Sequence, residues 1–189
     1  KEQTRDELLP KALLKSDRTT ALYLVNENVL AIGTGSEGRA ERFMESLRAA
    51  LGKLEAKPLS FSRPIDAVMA RIFGGDPPPQ FALGRECRMR DPREAKSSVR
   101  WTQVDLTENN VRRCLKDGME LTHLQFEFGS AMSGVLDTAG VIGKLKLLGL
   151  EEPGDDGEED PLARFDAELA LLGGTLRQLV AALRRALDD

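Results

Sequence analysis

The spacing of apolar residues in this chain changes from alternation to helical period and back again. Two apolar runs, 20–25 and 28–33, are separated by two polar residues, which is typical of an antiparallel hairpin. From Ser36 to Gly52 the apolar residues recur at helical period. This pattern predicts an amphipathic helix that Ser36 caps and Gly52 ends.

The same patterns predict the elements that follow. In order these are a strand at 57–61, a helix at 65–73, a hairpin at 81–105, a helix at 107–117, a hairpin at 120–137, a short amphipathic turn or helix at 140–149 and a long helix at 161–187. Hairpins interleaved with helices indicate an α+β fold with mostly antiparallel sheet and a long C-terminal helix.

Changes in composition divide the chain into five regions. We expect a helical arm at 1–16, a hairpin-helix central region at 17–75, a sheet-rich base region at 76–150, an acidic linker at 151–160 and a C-terminal helix at 161–189. The arm starts in helical pattern and without an initiator Met, so we expect the sequence to be a fragment or to have disordered residues before Lys1.

Composition limits the class of protein. Hydrophobic residues make up 41% of the 189 residues, which excludes a disordered chain. No apolar run reaches the roughly 18 residues of a membrane-spanning helix, so no membrane partner is expected. Two cysteines, Cys87 and Cys114, are too few for a disulfide scaffold. Reduced thiols favour a cytoplasmic location.

The net charge of −4 is unevenly distributed along the chain. Residues 1–118 contain 21 Lys and Arg against 17 Asp and Glu, whereas residues 119–189 contain 6 against 14. The first part is therefore mildly basic. Because DNA binding responds to the local field of a surface, the overall acidity does not exclude it.

The Gly33–Gly38 segment reads G-T-G-S-E-G between a predicted strand and a predicted helix, as in a dinucleotide-binding loop. That loop belongs to a parallel β-α-β unit, but the strand before it is predicted to lie in a hairpin. The acid that would hold a ribose is also missing, since Glu55 precedes the next predicted strand. We therefore expect a turn before a helix, and no cofactor.

Catalytic and metal-binding patterns are weak. His123 is the only histidine, and its place in an alternating strand predicts a packed or half-exposed side chain. Asp66, Asp105 and Asp137 fall on different predicted elements, whereas a Mg²⁺-dependent nuclease needs converging acids. Two cysteines and one histidine do not supply a zinc site. We predict no catalytic residue and no metal, with a nuclease as the remaining enzymatic alternative.

Basic residues concentrate in and around the hairpin at 81–105. They are Arg85, Arg88, Arg90, Arg93, Lys96 and Arg100. The alternation of 81–90 places Phe81, Leu83, Cys87 and Met89 on one strand face. Glu86, Arg88 and Arg90 share the other face, and Arg100 follows on the partner strand. Such a face can neutralise phosphates without reading base sequence. The alternative is a solvated strand face with no ligand.

Six segments together carry a resemblance to a known family. They are LLPKAL (8–13), RAERFMESLRAALGKLEAKPLS (39–60), VDLT (104–107), GMELTHLQF (118–126), LKLLGL (145–150) and RFDAELALLGGTL (164–176). In order and spacing they resemble the RdgC family of bacterial recombination-associated DNA-binding proteins. About the first third of a typical member would lie before Lys1.

The resemblance implies a non-enzymatic protein that forms a closed ring of two subunits around duplex DNA. A basic inner surface would bind DNA without sequence preference. One subunit contact would lie at helical tips and another at a sheet-bearing base. The implied role is restraint of RecA-promoted recombination, which places the protein in the cytoplasm at the nucleoid.

Individual residues carry over by position. Lys11 matches a basic residue of the family's LLPRAF segment, and Leu13 stands where that segment has Phe. We expect Leu9 and Leu13 at the tip contact. Arg39 and Lys144 match basic positions in helix-opening segments.

The expected DNA-binding residues are Lys11, Arg39, Arg85, Arg88, Arg90, Arg100 and Lys144. Thr102 and Gln103 depart from the family, which has two basic residues before the DLT step. The departure leaves an alternative function open: a protein-interaction module of the same fold with weakened or lost DNA binding.

Overall fold

A computed structural model describes residues 18–94, 96–149 and 160–188. The described residues form four helices and seven strands. They are β1 (Ala21–Leu24), β2 (Val29–Ile32), α1 (Glu37–Leu51), α2 (Asp66–Gly74), β3 (Phe81–Arg90), β4 (Ser98–Thr102), α3 (Asn109–Lys116), β5 (Glu120–Phe128), β6 (Met132–Asp137), β7 (Ile142–Leu147) and α4 (Pro161–Asp188). The predicted arm and residues 151–159 of the predicted linker lie outside the described part.

Both sheets are antiparallel, which confirms the predicted α+β class with its long C-terminal helix. Strands β1 and β2 form a two-stranded sheet, and the other five form a sheet in the order β4-β3-β5-β6-β7. The hairpins predicted at 20–33, 81–105 and 120–137 are all present.

One face of the five-stranded sheet, here called the inner face, is covered by helices. Helix α2, helix α3 and the C-terminal half of α4 bury apolar residues against it. Its fully buried side chains include Phe126, Phe128 and Met89, each 1% exposed or less. Burying a side chain of this size contributes about 1.5–3 kcal/mol, so this layer holds the sheet and helices together. The opposite face is called the outer face.

Two predicted elements are wrong. The turn or helix predicted at 140–149 is instead strand β7, because the Lys-Leu-Lys-Leu alternation of 144–147 has the period of a strand and pairs with β6. The segment 57–61 is not a strand. Nearby backbone donors are satisfied elsewhere: the amide of Arg63 donates to the Leu187 carbonyl at the end of α4.

Two predicted helices are present but pack less than their patterns indicate. Ser36 is at the N-cap of α1, yet its side chain makes no capping hydrogen bond, and α1 buries no residue fully. In α4 the buried side chains lie towards the C-terminus, whereas Leu162 and Phe165 are 74% and 56% exposed. An apolar stripe predicts a helix, but not how much of that stripe finds a partner.

Candidate nucleic-acid interface

A bulge in β3 determines which of its side chains reach the outer face. Residues 84–86 lie opposite a single residue of β5, Gln125. A Cβ at Gly84 would lie 2.6 Å from the Gln125 Cγ, so the close approach requires glycine here. The Gln125 side-chain oxygen accepts a hydrogen bond from the Arg85 amide at 2.9 Å. Beyond the bulge, alternate residues from Glu86 onwards point to the outer face.

The outer face contains a pocket of about 270 Å³, here called the outer pocket. It is lined by Gly35, Glu86, Arg88, Arg100, His123, Val135, Asp137, Val141, Gly143 and Lys144. Three of the predicted DNA-binding residues, Arg88, Arg100 and Lys144, therefore come together around one cavity. The sequence pattern placed the first two on adjacent strands but gave no indication of a cavity.

A row of polar side chains crosses four strands at the pocket. Arg100 lies opposite Arg88, Arg88 opposite His123, and His123 opposite Asp137. Like charges directly opposite each other on neighbouring strands repel. The Arg88–Arg100 pair is therefore a position where an anion lowers the electrostatic energy.

Lys144 reaches the pocket from the edge strand through a second bulge. Ser133 pairs with Lys146 and Val135 with Gly143, so β7 has one residue more than β6 between these pairs. Lys144 has a φ of 50°, a left-handed conformation that is uncommon for residues other than glycine. The bulge redirects its side chain across the face towards β3, where it contacts Glu86.

Glu86 holds two of the three cations. Its carboxylate accepts hydrogen bonds from Lys144 Nζ at 2.6 and 2.9 Å and from Arg100 at 2.7 Å. Partial burial raises the pKa of Glu86. The hydrogen bonds and charges of Lys144 and Arg100 outweigh this, so the pKa lies below its ordinary value. Glu86 is therefore an anion in a pocket that three cations line, together with a second carboxyl residue, Asp137.

Arg88 differs from its two neighbours. Within the described ranges it has neither an ion pair nor a side-chain hydrogen bond. His123 is half-buried, as predicted, and its Nδ1 lies 3.1 Å from the Thr122 hydroxyl. Asp137 Oδ1 accepts the amides of Ala139 and Val141, which fixes the turn before β7. The guanidinium of Arg88 is thus the cation most available to a ligand.

The remaining predicted residues lie elsewhere. Arg90 is on the same face but pairs with Glu120 at 3.8 Å, and Arg85 donates to the Gln103 carbonyl at 3.3 Å. Arg39 is exposed in the first turns of α1. Lys11, Leu9 and Leu13 fall outside the described residues.

The Gly-rich loop at 33–38 lies after β2 of an antiparallel hairpin, as predicted. Gly35 nonetheless lines the outer pocket, and a Cβ there would lie 3.7 Å from Val141. Sequence reasoning missed this contact, and it also missed Glu86, His123 and Asp137 as pocket residues. The alternation around Glu86 placed it on the arginine face; the long-range contacts of β7 and the loop had no local signal.

Other chemistry is limited in the part of the chain that the structure covers. Within it, no group of three or more His, Cys, Asp or Glu residues is placed to hold a metal ion. The helices described there include none that is long and apolar enough to cross a membrane. Burial, with the nearby Cys114 and Glu86, raises the pKa of the Cys87 thiol to about 12. Cys87 is thus a packed thiol rather than a nucleophile.

Comparison with known proteins gives one consistent result. The family described as "Putative exonuclease, RdgC" matches residues 1–189. The recombination-associated protein RdgC of Shewanella sp. (strain ANA-3) is 33% identical over 99% of this chain and 62% of the relative. The protein of that name from Xanthomonas axonopodis pv. citri (strain 306) is 34% identical over 96% of this chain and 61% of the relative. The chain spans about three-fifths of the length of these relatives, and it belongs to the RdgC family.

Proposed function

We propose that this chain is part of a protein that binds duplex DNA without sequence preference, as a ring-shaped homodimer at the nucleoid, and restrains RecA-promoted recombination. The family gives the context, since its members are named recombination-associated proteins. The observation that carries the DNA-binding step is the outer pocket, where Arg88, Arg100 and Lys144 converge on one small volume.

The pocket suits phosphate rather than bases. Guanidinium and ammonium groups donate charge-assisted hydrogen bonds to phosphate oxygens, and these contacts carry no sequence information. Base stacking would need aromatic rings at the pocket, but the described residues that line it include no Phe, Tyr or Trp. The arrangement therefore favours contact with the backbone of DNA.

The regional division supports a working assignment. We propose that the sheet-rich region at 76–150 supplies the DNA contact, and that the arm at 1–16, with Leu9 and Leu13, supplies a contact between subunits. Lys11 and Arg39 would then add basic charge from the arm and central region. Arg85 and Arg90 would lie at the edges of the contact.

The experiment measures duplex affinity of the full-length protein across a salt series. The charge-reversal pair Arg88→Glu with Arg100→Glu should weaken binding roughly tenfold or more. It should also reduce the slope of log K against log salt by about 1 for each phosphate that the variant no longer neutralises. The effect should be the same for unrelated DNA sequences.

A matched control carries the same change of charge on another surface. Arg113→Glu with Lys116→Glu alters α3, which packs on the inner face. This control should bind nearly as the wild type does. Wild-type binding that is indifferent to salt would overturn the proposal, whereas equal weakening in both double variants would overturn only the choice of surface.

Two exposed apolar side chains favour a second candidate function. Leu162 and Phe165 stand on the exposed half of α4, where single large apolar residues suit contact with another protein. If the protein is an interaction module without DNA affinity, the full-length protein should not shift duplex DNA in a gel at low salt. The same samples, incubated with Mg²⁺ and end-labelled duplex, test the exonuclease activity that the family's description names.

A further inference from the structure

The outer pocket already contains an anion of its own. Glu86 is only 17% exposed at its side chain, whereas Arg100 and Lys144 are each about half exposed. The carboxylate thus sits beneath the two cations and takes up hydrogen-bonding capacity that a ligand would otherwise receive. A surface that only attracts phosphate would bind it more strongly without the Glu86 carboxylate.

We propose that Glu86 is an internal competitor for phosphate, which limits how strongly the outer pocket holds a DNA backbone. A ligand phosphate binds first at Arg88 and competes with the Glu86 carboxylate for the N–H groups of Arg100 and Lys144. This inference rests on the proposed function, and in it Glu86 sets the affinity of the outer pocket for the DNA backbone.

The backbone around the pocket supports a specific role for this contact. Lys144 adopts an unfavourable left-handed conformation in a bulge, and its ammonium group meets both oxygens of Glu86. An unpaired lysine on an edge strand would need no such geometry. The bulge therefore fixes Lys144 beside Glu86, at the rim of the cavity that Arg88 also lines.

The arrangement has a consequence for a protein that must leave DNA. A set of three uncompensated cations would hold each phosphate tightly, whereas an internal carboxylate can replace the departing phosphate at once. Binding becomes weaker at this position, and dissociation leaves no unpaired cations at Arg100 and Lys144. Glu86 is thus expected to increase the dissociation rate.

The primary test compares Glu86→Gln with Glu120→Gln in the full-length protein. Both variants remove one carboxylate from the outer face, but Glu120 pairs with Arg90 outside the pocket. Duplex affinity should rise roughly tenfold for Glu86→Gln, the order of one charge-assisted hydrogen bond, and less than about threefold for Glu120→Gln. Equal gains in the two variants would overturn the inference, because they would reflect net charge alone.

A double-mutant cycle tests the competition itself. In a Lys144→Gln, Arg100→Gln background the Glu86 carboxylate has no cations to hold, so Glu86→Gln should then raise affinity less than about twofold. An undiminished gain in this background would show that Glu86 acts by general repulsion. Such a result would contradict the inference.

A small anion separates this inference from the proposed function. Inorganic pyrophosphate should raise the melting temperature of Glu86→Gln more than that of the wild type, and Arg88→Gln should abolish the shift in both. With this result but no duplex binding, the pocket role stands and DNA binding fails. With salt-dependent duplex binding and no influence of Glu86 or Arg88, DNA binding stands and the pocket role fails.

Discussion

The two faces of the five-stranded sheet are built from the same strands but are specified in different ways. On β3, Cys87 and Met89 are buried on the inner face while Glu86 and Arg88 line the outer pocket. The inner face is an apolar layer under three helices. The outer face is a set of charges whose relations depend on the pairing of β3 with β4 and β5, and on the bulge in β7.

The difference separates stability from binding. Apolar packing holds each inner residue in place on many sides, so truncating one leaves a cavity. Outer residues are fixed by the backbone beneath them and by a few directed hydrogen bonds. We therefore expect inner substitutions to change the free energy of unfolding, and outer ones to change affinity for phosphate.

The largest effect on stability is expected at Phe126. Its ring packs against Phe81 with centroids 5.7 Å apart, and it is 1% exposed. Phe126→Ala should lower the free energy of unfolding by about 3–5 kcal/mol, because a cavity replaces a buried ring. Arg88→Ala, on the opposite face, should change it by less than about 0.5 kcal/mol. Urea unfolding followed by circular dichroism measures both.

The assignment of stability to the inner face and of binding to the outer face is wrong if Phe126→Ala and Arg88→Ala are equally destabilised. It also fails if the folded fraction of Phe126→Ala loses duplex affinity while Arg88→Ala keeps it. Either result would mean that packing on the inner face, and not the charges on the outer face, controls the geometry of the binding surface.

A smaller loss of stability is expected from substitution of Gly84, the glycine of the β3 bulge. Gly84→Ala brings a Cβ to within 2.9 Å of the Gln125 carbonyl oxygen, so the β3 bulge must shift. The cost should be about 1–3 kcal/mol, as for overpacking in a core. The shift should also displace Glu86 and weaken duplex binding.

A glycine in open space provides the control. Among the residues that the structure describes, only the backbone of its own helix and its chain neighbours lie within 4 Å of a Cβ built at Gly174, in helix α4. Gly174→Ala should therefore stabilise the protein by about 0.5–1 kcal/mol through the higher helix propensity of alanine. If Gly84→Ala is as harmless in urea unfolding as this control, the close approach to Gln125 does not constrain the bulge.

The inner face was largely predictable from the sequence, and the outer face only in part. Alternation identified Phe81, Cys87 and Met89 as inward residues because burial imposes a period of two on a strand. The same alternation placed Arg88 and Glu86 together outside. Local pattern cannot show, however, which distant strand lies alongside.

Strand β7 illustrates the limit. The segment 140–149 is predicted as a turn or helix although part of it alternates like a strand, so Lys144 enters the site prediction only through the family resemblance. Its contact with Glu86 spans 58 residues and depends on a bulge in left-handed conformation. No pattern of apolar residues predicts which residue adopts a left-handed conformation. Gly35 likewise reaches the pocket through a contact with residues distant in the sequence.

A still smaller loss of stability than at Gly84 is predicted for the Glu86 carboxylate, and this loss depends on pH. The pKa of Glu86 is lower in the folded protein than in the unfolded chain, so its ionised form stabilises the folded state. This stabilisation is complete above the unfolded pKa and is lost as the pH falls through the folded pKa. At neutral pH, Glu86→Gln should therefore be less stable than the wild type by roughly 1 kcal/mol, and the difference should shrink in acid. Urea unfolding at a series of pH values measures this difference, with Glu120→Gln as the control for removing a carboxylate from the same face. A difference in unfolding free energy that stays constant as the pH falls would show that Lys144 and Arg100 do not stabilise the ionised form of Glu86. The hydrogen bonds across the outer pocket would then not hold it in place as the apolar packing holds the inner face.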